Sequence, residues 1–262
     1  MCRKRIESVL RKFRDYLVDD ESPDKSPEIC DRLSREHANI SVIHKKNQGL
    51  GMARNSGMEK ASGKYILFLD SDDKLDGEHA VELLVRKAQE KDADITVGSF
   101  RRFNKTFVSE KNWHHLKEGE YTRTADFRFK GFYQYGHLAY DWGKLYKMDF
   151  LKEHELVCPA YPFTQDKAHN MRCCFWNPTY AFIDESVMLY RVNEDSVTFK
   201  YKKKWKRSGL ALQRTLCNIS ANMEKRDIWL ILRRSIFSLV RSFLSSRSCS
   251  QIRLAGETPE GH

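Results

Sequence analysis

The 262-residue sequence has no CxxC pair, no zinc-finger or RNA-recognition motif, and no uninterrupted apolar run of 18 residues. Their absence excludes a small zinc module, the common nucleic-acid readers and a transmembrane helix. Cysteines stand at positions 2, 30, 158, 173, 174, 217 and 249, an odd number with no signal-peptide pattern ahead of them. They imply a reduced, cytoplasmic setting rather than a disulfide framework. Cys173-Cys174, inside MRCCFW, reads as core filler. Glycine (13) and proline (6) are few, while 40% of residues are hydrophobic and 31% charged. Such a chain can bury a sizeable core as one large or two small domains. Its formal charge of +10, from 46 basic and 36 acidic residues, attracts anions. The basic residues are scattered except in Lys200–Arg207 (KYKKKWKR), which reads as a solvated face, so no nucleic-acid partner is expected.

Strand-like and helix-like segments alternate through the first two-thirds, which predicts an α/β fold with a mainly parallel sheet. Ile6–Phe13 has helical spacing, and Tyr16–Val18 is a short apolar stretch ending at Asp19-Asp20. Ser26-Pro27-Glu28 offers a cap, a proline and an acid to start a helix reaching about His37. Ile40–His44 reads as a strand and Gly51–Ala61 as a helix stopped by Gly63. Tyr65–Leu69 (YILFL) has the unbroken apolar character of a strand covered on both faces. Asp76 is expected to cap a helix over 77–91, followed by a strand at Ala93–Phe100. From about Tyr121 the text turns aromatic and irregular, Tyr180–Val192 resumes as strands, and the last sixty residues look helical.

Ligand sites in open parallel sheets lie beyond the carboxyl ends of strands, where this chain places Asp19-Asp20 and Asp70-Ser71-Asp72-Asp73. Crowded carboxylates repel one another unless a cation or proton intervenes, and hard oxygen ligands suit Mg²⁺ or Mn²⁺ carrying a diphosphate. A phospho-receiver domain also begins with paired acids, but expects one aspartate at the later strand and a lysine closing another. DSDD and ADITVGSF do not fit that pattern.

The ordered text VDDESPDKSPEICD (18–31), ISVIHKKNQGLGMARNSGMEKASGKYILFLDSDDKLD (40–76), DWGKLYKMDFLKEHEL (141–156), FTQDKAHN (163–170) and LYRVNEDSVT (189–198) resembles the family 2 inverting glycosyltransferases of the GT-A fold. The likeness runs over about residues 5–200, strongest to bacterial enzymes of capsule, exopolysaccharide or lipopolysaccharide assembly. It implies a mixed, mainly parallel GT-A sheet flanked by helices with a C-terminal helical extension. The division would be a nucleotide-sugar half at 1–120, an acceptor-side half at 121–200 and a basic, amphipathic tail at 201–262. Activity would be transfer of a hexose from a UDP-sugar to a hydroxyl of a glycan or lipid-linked saccharide.

By the same resemblance Asp20 would meet the base, Asn47, Arg54 and Asn55 would line the nucleotide, and Asp70 would face the ribose or the ion. Asp72 would ligate Mn²⁺ or Mg²⁺. Arg191 and Ser196 would help hold the diphosphate, and Trp142, Lys144 and Tyr146 would wall the acceptor. Asp166, where many relatives carry a Glu-Asp pair and this chain reads Gln165-Asp166, would be the general base. Replacing the first acid by Gln165 removes a like charge that would raise Asp166. His44 and His169, without spaced partners, read as satisfied side chains.

Relatives begin with an apolar strand, whereas this text starts at Met1-Cys2-Arg3 within the first helix of the pattern. The expectation is a missing first strand, a weakened fold, and an inactive remnant as the rival reading. Ile228–Leu244 (IWLILRRSIFSLVRSFL) sets apolar residues against arginines at 233, 234 and 241, the make-up of an interfacial helix at the inner face of a membrane or of a helix packed on the catalytic domain; the lipid-linked acceptor that the resemblance implies favours the first.

Overall fold

A computed structural model of the chain describes residues 13–110, 140–161 and 164–192. All lie in the first of two compact units, Met1–Leu212. The elements are β1 (Asp15–Asp19), α1 (Ser26–Glu36), β2 (Ile40–His44), α2 (Leu50–Lys60), β3 (Tyr65–Leu67), β4 (Lys74–Leu75), α3 (Ala80–Lys91), β5 (Ile95–Phe103), β6 (Lys144–Lys147), α4 (Met148–Glu153), α5 (Gln165–Phe175) and β7 (Tyr180–Arg191).

β1 and β2 pair in parallel, Asp15 opposite Ile40 and Asp19 opposite His44. The other strands form a second sheet in the order β3-β6-β5-β7-β4. Mainly parallel pairing is not what this sheet shows among the described residues. β6 runs antiparallel to both β3 and β5, and β4 antiparallel to β7, leaving β5–β7 as its parallel ladder. The cause is topological: β6 enters from a long excursion and slots between β3 and β5 in the reverse sense. The β5–β7 register slips on either side of Ser99, next to Gly98, where an added Cβ would collide with Val187. That is the close backbone approach a strand glycine permits.

α3 lies on this sheet through Ala80, Leu84 and Ala88, which pack with Trp142, Leu145, Ile183, Val187 and Met188. Burying a side chain such as Leu84 stabilises the fold by about 1.5–3 kcal/mol. Three local expectations change. α3 begins at Ala80 rather than beside Asp76, because Gly77 takes φ +91° and Asp76 pairs with Arg101 from β5, Arg101 Nε donating at 2.7 Å. α1 starts at Ser26 as its first helical residue, with Asp24 Oδ1 accepting the Ser26 N–H at 2.9 Å. β3 is half-buried, three residues long and at the end of the sheet order among the described residues; Phe68 beyond it is buried and bridges Trp142, while Leu69 is exposed.

Cys173 and Cys174 are buried, with Cys174 Sγ 3.0 Å from the Tyr180 hydroxyl. No helix among the described residues is long and apolar enough to cross a membrane. The expected helix at Ile6–Phe13 (up to residue 12), Ser196, the run Lys200–Arg207, and Ile228–Leu244 lie outside the described residues.

Candidate active site

Two loops meet at the carboxyl ends of β1 and β2. Asp19, almost fully buried, accepts from Ser22 N at 3.0 Å and meets His44 Nδ1 at 3.0 Å, while His44 Nε2 lies 3.0 Å from Asp31. Asp20 accepts from Lys45 Nζ (2.8 Å), Gln48 N (3.1 Å) and Gly49 N (2.7 Å). Partial burial works against its charge, yet Lys45 and those N–H groups bring its pKa below the usual carboxylate range. Gly49, at φ +89°, gives the turn the left-handed residue that aims its N–H inward. Asn47 enters through its backbone N–H, which donates to Glu21 Oε2 at 3.2 Å. Asp20 and Glu21 thus clamp the 45–49 loop to the end of β1.

Beyond β3 the acidic turn is asymmetric. Asp70 is half-buried with Oδ1 held by Arg54 Nη2 at 2.6 Å, and Asp72 is exposed. Asp73 is buried, its Oδ1 accepting from Arg191 N at 2.7 Å and its Oδ2 meeting no donor among the described residues. Desolvation, with the charges of Asp72 and Asp70 beside it, pushes Asp73 up to about 7 despite the Arg191 N–H. Arg191 closes over this turn, Nε donating to the Asp72 carbonyl at 2.7 Å with its guanidinium over Phe103.

Behind the acidic turn sits a buried charge cluster centred on Asp141. Its Oδ2 accepts from Arg54 Nη1 at 2.8 Å, and its Oδ1 from Asn170 Nδ2 at 2.7 Å, with His169 Nδ1 also at 2.7 Å. Burial alone would raise the Asp141 pKa; His169, Arg54 and Lys144 bring it down instead. Lys144, wholly buried, donates to the Tyr140 carbonyl and to Asn170 Oδ1, and desolvation lowers its pKa to about 8. Tyr146 O–H donates to the same Asn170 oxygen at 2.9 Å. Asp141, Cys158 and His169 bring ligand atoms within 4.8 Å of one another. A cation is nonetheless a poor occupant there, since a guanidinium and an imidazole already saturate the carboxylate and like charge would oppose it.

Asn55 is engaged by the backbone of Cys158. Its Nδ2 donates to the Cys158 carbonyl and its Oδ1 accepts the Cys158 N–H, both at 2.8 Å and both buried. The clamp joins α2 to the segment before α5, where Gly51 allows Pro159 O to come within 2.6 Å of a Cβ position.

Asp166 lies in the first turn of α5, half-buried, its Oδ1 accepting the Lys167 N–H at 2.7 Å. Burial, reinforced by the charge of Asp141, raises its pKa against the opposing pull of the Lys167 N–H, Arg54 and Lys144. The like charge expected to be lost with Gln165 is therefore supplied by Asp141. Of the residues expected on the acceptor wall, Trp142, Lys144 and Tyr146 are all buried. Trp142 stacks between Tyr140 (4.9 Å, 11°) and Tyr190 (5.3 Å, 25°), so the exposed ring of that stack is Tyr140. Sequence reasoning passed over Asp141. The available signal was a lone acid between aromatic residues in AYDW, which a buried site tolerates only with cationic partners.

Comparison with known proteins places this geometry. Residues 2–154 match the glycosyl transferase family 2. EpsH of Bacillus subtilis (strain 168), named as a glycosyltransferase, is 28% identical over 219 residues, covering 80% of this chain and 62% of EpsH. The glycosyltransferase GlyA of Streptococcus pneumoniae is 28% identical over 232 residues, 84% of this chain but 33% of GlyA. The crystal structure of S. aureus TarS 1-349 in complex with UDP-GlcNAc superposes with a TM-score of 0.70 at 18% identity, covering 91% of this chain and 68% of that one. The complex with UDP gives 0.65 at 20% identity, covering 90% and 64%. The chain thus spans less than two-thirds of the length of EpsH and about one-third of GlyA. With a mixed sheet flanked by helices and a family match over more than half its length, it belongs to glycosyl transferase family 2 and has the GT-A fold.

Proposed function

We propose that the chain transfers a sugar, with inversion, from a UDP-sugar to a hydroxyl of a glycan or lipid-linked acceptor in cell-surface polysaccharide synthesis. The observation that carries this reading is the Arg54 bridge. One guanidinium lies 2.6 Å from Asp70 in the acidic turn and 2.8 Å from Asp141 in the cluster that also holds α5, which bears Asp166. A donor-side group and a base candidate are thereby organised around one buried cation. UDP as the donor nucleotide is supported by the likeness to TarS, whose crystal structures hold UDP and UDP-GlcNAc.

The acidic turn fits a divalent ion. Asp72 is exposed, Asp73 keeps an unpartnered buried oxygen, and the mutual repulsion of three carboxylates needs a neutralising charge. Asp70 and Asp72 would hold Mn²⁺ or Mg²⁺, which supplies Lewis-acid stabilisation of the diphosphate. Arg191, latched to the Asp72 carbonyl, adds positive charge on the same side. Asp20 and Asn47 act here by holding the 45–49 loop as one wall of the nucleotide pocket. Asp166 takes the acceptor hydroxyl's proton as that oxygen attacks the anomeric carbon and UDP departs. Its raised pKa makes it a stronger base than an ordinary carboxylate. Tyr140 offers the acceptor an exposed aromatic face, with Trp142 and Lys144 supporting it from behind. The Ile228–Leu244 segment would hold the enzyme at the cytoplasmic membrane face, and a chain ending at Lys225 should then lose binding to anionic vesicles.

The test is UDP release from UDP-N-acetylglucosamine and other UDP-sugars with mixed glycan acceptors, comparing the chain with Asp166→Asn. Loss of at least about 100-fold in turnover with UDP binding retained is expected for removal of a general base. Full turnover by the variant would refute the assignment.

A further inference from the structure

Asp141 is the most deeply buried carboxylate in the site, fully excluded from solvent. Its partners divide in two directions. Toward the acidic turn, Arg54 Nη1 contacts its Oδ2 while Arg54 Nη2 contacts Asp70. Toward α5, Asn170 Nδ2 donates both to Asp141 Oδ1 at 2.7 Å and to the Asp166 carbonyl at 2.9 Å, one turn back along the helix. His169 from the same helix braces the carboxylate from a further side. We infer that Asp141 is a positioning residue that ties the two reacting sides together, fixing Asp70 through Arg54 and the Asp166 turn through Asn170. The inference rests on the reading of Asp166 as base only for its catalytic meaning; the tie itself is structural geometry.

A residue that merely filled space would leave Asp166 electrostatically unaware of it. The groups whose charge bears on Asp166 are Asp141, Arg54 and Lys144, with Tyr140 feeling Asp166 in turn. Of these Asp141 is the one negative charge. Arg54 and His169 partly neutralise Asp141, but its removal withdraws the repulsion that favours the protonated Asp166.

The experiment is a ¹³C NMR titration of the aspartate carboxyls in the full chain, with Asp166→Asn identifying the Asp166 resonance, repeated in Asp141→Asn. The Asp166 midpoint should fall by about one unit in Asp141→Asn, the low end for loss of a neighbouring like charge. An unmoved midpoint overturns the inference. Should Asp141→Asn fail to fold, Asn170→Ala spares the Arg54 and His169 contacts and cuts the link to the Asp166 carbonyl in the first turn of α5. Hydrogen exchange in the first turn of α5 should then quicken by about tenfold while α3 is unchanged, as expected for local rather than global opening. An unchanged first turn, or an equal change in α3, overturns it. Neither readout needs turnover, so the base assignment can fail in Asp166→Asn while the tie stands, and the reverse.

Discussion

Replacing Asn55 by alanine separates a structural role from a nucleotide-binding one. Its amide makes two hydrogen bonds to the backbone of Cys158, both 2.8 Å long, joining α2 to a segment 103 residues away. Alanine leaves a buried N–H and a buried C=O without partners. Each orphaned group costs about 1–3 kcal/mol, giving about 2–6 kcal/mol for the pair. Alanine recovers about 0.5 kcal/mol of helix propensity within α2, so the net loss should be about 1.5–5.5 kcal/mol. Against a typical total of about 5–15 kcal/mol that is a severe change. Urea unfolding followed by circular dichroism reads it as a lower midpoint with the slope preserved. Ser56→Ala, which removes a hydroxyl bonded to the Met52 carbonyl one turn back, serves as control and should change stability by less than about 0.5 kcal/mol. If Asn55→Ala kept its stability but lost UDP affinity, Asn55 would be a nucleotide ligand and the clamp argument would be wrong.

Three further outcomes follow from the same geometry. Asp166 must be ionised to accept a proton, so kcat/KM should fall on the acid side at a pH above the ordinary carboxylate range, reflecting its raised pKa; an acid limb at or below that range would contradict its assignment. Gly98→Ala places a methyl against Val187 at the β5–β7 register slip and should destabilise by about 1–3 kcal/mol, read by thermal unfolding. His44 has its pKa raised by Asp19 and Asp31, so its contribution is fully present below its unfolded pKa and is lost as pH rises through the folded one. His44→Gln should flatten that slope slightly, since the ring is solvent-exposed; an unchanged stability–pH curve would show that the pairs contribute nothing.

Helices and strands were legible where a local signal dominates. Ser26-Pro27 set the start of α1 within a residue, and ISVIH matched β2. YILFL was read as covered on both faces because an apolar run reports hydrophobicity, whereas Tyr65–Leu67 are half-buried and Leu69 is exposed. The cap assigned to Asp76 failed for a related reason, since Arg101 competes for that carboxylate from a strand 25 residues on. At the site, Asp166 was singled out only by the family resemblance, whereas the acidic turn stood out because charge at the end of an apolar run is visible in one dimension. Asp141 did not, because its partners Arg54 and His169 lie 87 and 28 residues away. Likewise the partners of the ARN side chains, Asp70 and Asp141 for Arg54 and Cys158 for Asn55, lie too far along the chain to be read from the sequence.

The account rests on Asp70 and Asp72 holding a divalent ion against the diphosphate of a UDP-sugar. Thermal unfolding of the full chain with UDP, in Mn²⁺ and in EDTA, tests it directly. At UDP near 100 times its dissociation constant the stabilisation is about 2.7 kcal/mol, a rise of about 5–10 °C, expected in Mn²⁺ and absent in EDTA or in Asp72→Asn. An equal rise in EDTA, or no rise in either for UDP and other nucleotides, would contradict it, the second result pointing to an inactive remnant.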